Sequence, residues 1–449
     1  MRLMTIAVWS FINIIFFGMC GYMYLVWSKY WISMPKEDLQ QSIESQLMSF
    51  DGVTRSSDKH QQSLLLAKVR RSAVGHYRKN KVANKANNTG IADNKVIKKS
   101  HGSPRFPNIH SPVLEFDSGR YSCNDSTSIQ CVGITSSFRE LVEKEFHRVL
   151  MSESRVFKSG LASQNIYNVH FDGEYGKRRP RGEVLCALGR VRVRTVTRQD
   201  QPFARLGFSV PPAPLQPERA FNTCAVVSSS GALLGSRLGS FIDSHDMVLR
   251  FNNAPTTNFT EDVGSKTTFR VLNSQVVTKP KFRFLHDPLY DNVSIIIWDP
   301  SNYSSSLEDW YRHPDFPLFD VYKEFLELKP DADVHLLMPQ VLWDIWTVLQ
   351  ESSPYRIRKN PPSSGFIGIW FATQRCSMVR VLEYVPSARA SNRCHYYSDH
   401  RDRDCTLGSW HPLALEKLLA SQLRDNSDFE VFQRGFINIP GVATLNCPA

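Results

Sequence analysis

Residues 224–231 read Cys-Ala-Val-Val-Ser-Ser-Ser-Gly, an apolar run that ends in a Ser/Gly turn. A strand that passes through such a turn into a helix aims backbone N–H groups at one point, which suits a phosphate or a carboxylate. Asn252 closes the apolar run 247–251, and Asn273 closes 268–272, so two amides stand at the ends of two further runs. Gly231, Gly235 and Gly239 have the wrong spacing for a dinucleotide fingerprint. Gly264-Ser265-Lys266-Thr267 resembles the tail of a P-loop but lacks the earlier glycine. Asp331-Ala332-Asp333 follows Lys329-Pro330 and reads as a turn, and Asp402-Arg403-Asp404 lies between two cysteines. Both are read as structural, with no metal site. A proton acceptor working near neutrality is best made from imidazole. Of thirteen histidines, His411 precedes Pro412, which biases its backbone toward an extended form, and an apolar helical run, 413–419, follows. His395 is its competitor.

The elements that must hold these residues follow from apolar spacing. Residues 225–227, 247–251 and 268–272 read as buried strands, and Leu233, Leu238, Phe241 and Ile242 fit one helical face. Upstream, Ser137 and Glu140 form a capping box ahead of Phe138, Leu141, Val142, Phe146, Val149 and Leu150 at helical spacing. The strict alternation of residues 190–194 predicts a one-faced strand with its arginines toward solvent. Residues 293–298 read as a buried strand ending in Asp299-Pro300, and Trp343, Ile345, Trp346 and Leu349 as a helix starting near Pro339. Residues 366–371 form a further buried segment, and 379–384 a further strand. Strands alternating with helices predict an α/β fold with a mainly parallel sheet.

Residues 4–27 form an apolar run without a charge, long enough to cross a bilayer as a helix. Trp27, Tyr30 and Trp31 suit an interfacial belt, and no small-residue cleavage site follows. The expectation is an uncleaved signal anchor, with residues 1–3 cytosolic, 28–130 a lumenal stem and 131–449 the catalytic domain. The net charge of +11 is concentrated. Residues 66–105 hold eleven Lys and Arg against one acid, Asp93. Such a run reads as a solvated tether, and no nucleic-acid-binding motif accompanies it. Arg70-Arg71 is an exposed dibasic pair that is expected to stay uncut. Nine cysteines, one of them Cys20 inside the apolar run, leave an even eight for a disulfide framework whose pairing the spacing leaves open. Asn87, Asn124, Asn258, Asn292 and Asn302 each open an N-glycosylation sequon. Together with the cysteines they point to a lumenal chain.

The stretch 224–275 closely resembles the large motif of animal sialyltransferases, most closely the β-galactoside α-2,6 branch. Three more matches follow in order: Pro362-Ser363-Ser364-Gly365 through Cys376, Cys394-His395-Tyr396-Tyr397, and His411-Pro412-Leu413 through Glu416-Lys417. The resemblance covers residues 186–447. It implies a single Rossmann-like domain and transfer of sialic acid from CMP-sialic acid, with inversion, to galactose or N-acetylgalactosamine ends of glycoprotein glycans. No cofactor is implied. The implied donor contacts are Ser229, Asn252, Asn273, Ser363, Ser364, Gly365, Cys394, His395 and Thr406. His411 is the implied general base, and Gln275, Phe316, Trp410 and Lys417 lie on the implied acceptor side. The resemblance also implies Cys224–Cys376, Cys394–Cys405 and Cys186–Cys447, which leaves Cys123 to Cys131.

Three positions depart from the usual α-2,6 pattern. Trp410 and Phe316 stand where close mammalian relatives carry tyrosine, and Ser398 follows Tyr396-Tyr397 where an acidic or amide residue is common. The first two bear on the acceptor. The resulting expectation is a single-pass type II Golgi membrane glycosyltransferase, metal-independent, with the oligomeric state, monomer or homodimer, left open. The rival expectation is a catalytically silent lumenal glycan-binding protein that keeps the fold.

Overall fold

The structure is a computed structural model that describes residues 121–447, apart from 158–164, 174–177, 209, 216–220, 403 and 409. The chain divides into Met1–Arg105 and Phe106–Ala449, and every described residue lies in the second unit. The expected anchor at 4–27, most of the expected stem and the Asn87 sequon therefore lie outside the described residues. Among those described, no helix is long and apolar enough to cross a membrane.

Seven strands form one sheet: β1 (Phe221–Val227), β2 (Met247–Phe251), β3 (Phe269–Asn273), β4 (Ser294–Trp298), β5 (Val334–Leu336), β6 (Cys376–Leu382) and β7 (Phe436–Pro440). Their order is β5-β4-β3-β2-β1-β6-β7. All neighbours are parallel except β6 and β7. The chain runs outward from β1 through β5, then returns to place β6 on the free side of β1. The direction of winding thus reverses between β1 and β6, where α/β sheets open a crevice at the carboxyl ends of their strands.

Among the described residues, six helices of ten residues or more cover the faces: α1 (Ile129–Phe157), α2 (Arg181–Arg190), α3 (Leu318–Leu328), α4 (Pro339–Glu351), α5 (Ser364–Thr373) and α6 (Leu413–Leu423). Burial on both faces explains the apolar run of β4, and in β2 it takes in even Arg250, whose guanidinium donates to Val263 O and Lys266 O. Pro339 takes the first position of α4, where a missing N–H costs nothing. Helix α5 lies close over the sheet at Gly368, where a Cβ would come within 2.5 Å of the Phe251 ring. Trp343, Trp346, Trp370, Phe138 and Phe146 fill the core beneath these helices.

Four local expectations are corrected. Helix α1 begins at Ile129, not near Ser137. Its cap is Ser128, whose Oγ accepts from Cys131 N at 3.1 Å, so Ser137 sits inside the helix. Residues 190–194 are not a strand. Val184, Leu188 and Val191 fall at helical spacing, which draws Arg190 into the last turn of α2, and Val191 N donates back to Leu188 O. The helical face expected over 233–242 is split into a 3-10 turn, Gly231–Leu233, and a short helix, Gly239–Asp243. Between them Gly235 and Arg237 take positive φ. Residues 366–371 lie inside α5, and the strand expected at 379–384 runs instead over Cys376–Leu382.

Candidate active site

The turns after β1, β2, β3, β4 and β6 meet at one end of the sheet. After β1, Ser228 Oγ donates to Glu383 O beyond β6 at 3.1 Å and accepts from Ser230 N at 3.2 Å. This ties the Ser/Gly turn across the reversal of winding. Ser229 lies between them, and its carbonyl accepts from Tyr396 N at 3.2 Å. The His395–Tyr397 segment is thereby laid over the turn. The His395 and Tyr397 rings stack with centroids 5.1 Å apart. Burial, then His400, holds the His395 imidazole below its ordinary pKa. Cys394 is buried and bonded to Cys405, so it offers this site only its backbone. Thr406 follows Cys405 in a short helix, Asp404–Leu407, and is half-buried.

Asn252 has φ +48°, a left-handed conformation that asparagine tolerates better than most residues. The buried Arg270 donates to Asn252 O at 2.8 Å and Ala254 O at 3.0 Å, and Tyr396 donates to Pro255 O at 2.5 Å. The turn is thus fixed through three carbonyls. Asn252 Oδ1 accepts from Asn273 N at 3.1 Å, and Asn273 Oδ1 caps the helix Ser274–Thr278 by accepting from Val276 N at 3.0 Å. Both amides point their oxygens at the protein, which leaves their NH2 groups as the donors available to a ligand.

The N-terminus of α5 supplies the opposite wall. Ser363 caps it, accepting from Phe366 N, and is 8 % exposed. Its hydroxyl also donates to Glu416 Oε2 at 2.5 Å, so this side chain is committed to the scaffold. Glu416 accepts two further hydrogen bonds, from Ser363 N and Tyr384 OH, both at 2.8 Å. Gly365 has no room for a side chain, because a Cβ would meet the Tyr384 ring at 2.6 Å. Ser364 Oγ accepts from Trp298 Nε1 at 3.0 Å and stands at the first turn of α5.

His411 stands beside this wall, half-buried just ahead of α6. Its Nδ1 lies 2.8 Å from Pro361 O, and a carbonyl can only accept, so Nδ1 carries the proton. The unprotonated Nε2 is then the basic atom. The Trp410 and Trp298 rings lie edge-on to the imidazole at 4.5 and 6.2 Å. Burial lowers the His411 pKa to about 4, with the Pro361 hydrogen bond opposing it. Lys417 packs over the Tyr384 ring at 5.6 Å, and burial lowers its ammonium to about 8 against the pull of Glu416 and Glu383. Trp410 is 36 % exposed at the rim and meets Tyr167 at 6.2 Å. Gln275 is exposed on the helix that Asn273 caps, and its Oε1 accepts from Lys279 Nζ at 3.0 Å. The Phe316 ring lies under that ammonium.

Sequence reasoning passed over Asp299. This residue directly follows β4, is fully buried and accepts from Trp310 Nε1 and Asp315 N, both at 2.9 Å. Burial pushes its carboxyl up to about 7. The only signal for it was an acid placed directly after an apolar strand. Glu416 and Arg270 were also passed over, and their roles depend on contacts distant in sequence.

All four disulfides form as expected: Cys123–Cys131, Cys186–Cys447, Cys224–Cys376 and Cys394–Cys405. Among the described residues, Cys394, His400 and Cys405 come close enough together to hold a metal, but the disulfide removes both thiolates. Asp333 lies just before the edge strand β5, at the end of the sheet away from the turn of Ser229, and accepts from Ser294 Oγ and His335 Nε2. Asp402 Oδ1 accepts from Asp404 N. The sequon residues Asn124, Asn258, Asn292 and Asn302 are exposed.

The family model for glycosyltransferase family 29 (sialyltransferase) matches residues 187–427. Among curated relatives, beta-galactoside alpha-2,6-sialyltransferase 2 of Bos taurus is 45% identical over 289 residues, covering 63% of this chain and 58% of its own length. The protein of the same name from Homo sapiens is 42% identical over 291 residues, covering 64% and 55%. The chain thus spans a little over half the length of the curated relatives it matches. A solved mammalian sialyltransferase in complex with Gal-beta-1-3GalNAc-ortho-nitrophenol aligns over 55% of this chain and 78% of that one, at 24% identity and a TM-score of 0.31.

Proposed function

From a chain that belongs to glycosyltransferase family 29, the sialyltransferases, we infer an enzyme that transfers sialic acid from CMP-sialic acid to a terminal galactose or N-acetylgalactosamine, in α-2,6 linkage. The observation that carries this reading is the tautomer of His411. Its Nδ1 proton is given to Pro361 O, so Nε2 is a neutral base beside the N-terminus of a ten-residue helix.

The donor carries a phosphodiester and a sugar carboxylate. Backbone N–H groups at Ser364 and Gly365, the positive end of the α5 dipole and the amides of Asn252 and Asn273 suit those anions. Ser229 and the His395 segment close the other side. Chemistry is then a direct displacement. The acceptor hydroxyl forms a bond to the anomeric carbon of sialic acid as the bond to CMP breaks and its electrons pass to the phosphate. His411 Nε2 takes the hydroxyl proton, assistance typically worth about 10²–10⁴ in rate. A single phosphodiester anion leaves little charge to neutralise, so the reaction is assigned no metal. The relatives named for β-galactosides support galactose as acceptor. Trp410, with no phenolic hydroxyl, supports a weaker demand for it and leaves room for GalNAcβ1-4GlcNAc. A Golgi lumen reached by a type II anchor at residues 4–27 is proposed on the sequons and cysteines.

Radiolabelled CMP-sialic acid offered with Galβ1-4GlcNAc, GalNAcβ1-4GlcNAc and Galβ1-3GalNAc tests the reading, followed by linkage analysis. An α-2,6-linked product on a β1-4 acceptor is expected. Binding without transfer to any of the three would favour the silent glycan-binding protein instead.

A further inference from the structure

We propose that Lys279 is a positioning residue for the acceptor: it holds the Gln275 amide in one orientation, with its NH2 end turned to the sugar, and Phe316 holds Lys279. The inference rests on the acceptor reading given above.

Three observations carry it. Gln275 lies on the short helix Ser274–Thr278, whose start Asn273 caps from the end of β3. Its Oε1 accepts from Lys279 Nζ at 3.0 Å, one turn further on. An amide has one acceptor end and one donor end. With Oε1 taken by an ammonium, Nε2 is the end left to offer hydrogen bonds, and a sugar hydroxyl oxygen can accept them.

Second, Lys279 Nζ sits 5.3 Å from the centroid of the Phe316 ring, within the range of cation–π attraction. Third, the side chain is half-buried, and burial followed by Lys281 lowers its pKa from the ordinary lysine value. Its ammonium is held between two partners, the Gln275 amide and the Phe316 ring. Phe316 then acts on the acceptor through Lys279 and Gln275, and a ring is what this role requires. A hydroxyl on that ring is not needed. This gives a reason for phenylalanine at a position where the sequence alone suggested a lost contact.

The test uses the full-length enzyme, CMP-sialic acid and Galβ1-4GlcNAc, with KM and kcat measured separately. Lys279→Met should raise acceptor KM about three- to tenfold, with kcat and donor KM near wild type. Lys279→Arg keeps the cation and should restore acceptor KM to within about twofold of wild type. Phe316→Leu should move in the same direction as Lys279→Met. In a Gln275→Ala background, Lys279→Met should add nothing further. An unchanged acceptor KM in Lys279→Met, or the full effect without Gln275, would overturn the inference while leaving the transferase reading intact. A wild type without transfer to any acceptor would instead remove the transferase reading, and this inference with it.

Discussion

His411 shows what a single residue discloses before and after folding is known. Its place before Pro412 and its match to a family motif made it the candidate base. The sequence left its pKa at the ordinary imidazole value, roughly 6–7. Folding changes that. The ring is packed between Trp410, Trp298 and the Pro361 carbonyl, and burial favours the neutral form. A base works only unprotonated, so lowering its pKa extends the active range toward acid. A pKa lowered to about 4 sets the window. For the free enzyme, kcat/KM should stay flat as pH falls from 7 to 5, then drop about tenfold per unit only below about 4. A pH–rate profile on the wild type and His395→Ala checks this, because His395 is the other imidazole of the site. A limb at pH 6–7 that survives His395→Ala would mean a solvated His411. Ser363 shows the opposite limit. Its motif was legible, but its hydroxyl is spent on Glu416 and Phe366 N, a partnership that only the fold reveals.

Elements were legible where their burial was uniform. Strands β2 and β4 and helix α4 each bury a face that apolar spacing alone identifies. Spacing failed where it was short or shared. Five alternating residues at 190–194 cannot be told from the end of a helix. The cap of α1 rests on Ser128 beside the Cys123–Cys131 loop, not on the Ser137 pattern. The joint between elements was the least legible part. Glu416, on α6 behind His411, takes three hydrogen bonds from Ser363 and Tyr384 and so locks α6 to the cap of α5 and to the end of β6. Glu416→Ala would leave a cavity and three unmet donors, and should cost about 3 kcal/mol of stability. Glu416→Gln keeps the shape and one acceptor oxygen, so it should cost less than half as much. Chemical denaturation of the three proteins measures both values. Equal stability for Glu416→Ala and wild type would show that the joint does not hold the two helices.

At the scale of the molecule, the reversal of winding between β1 and β6 decides where the site lies. The sequence showed alternating strands and helices but not the strand order, because nothing local encodes that β6 returns to the free side of β1. Cys224–Cys376 joins these two strands covalently, and Ser228 joins the turn that follows β1 to the backbone just after β6 by a hydrogen bond. The Asp-x-Asp strings fall elsewhere, one just ahead of the edge strand β5 and one within the Cys394–Cys405 loop. Activity should therefore survive excess EDTA within about twofold. A more than tenfold loss, restored by manganese, would return Asp331 or Asp402 to consideration. The central claim is that His411 takes the acceptor proton at a site where other residues hold the donor. Its most direct test is kcat and CMP affinity for His411→Ala, measured side by side on the full-length enzyme. The account predicts a fall in kcat of about 10²–10⁴ with CMP affinity within about twofold of wild type. More than a tenth of wild-type kcat, or loss of CMP binding, would contradict it.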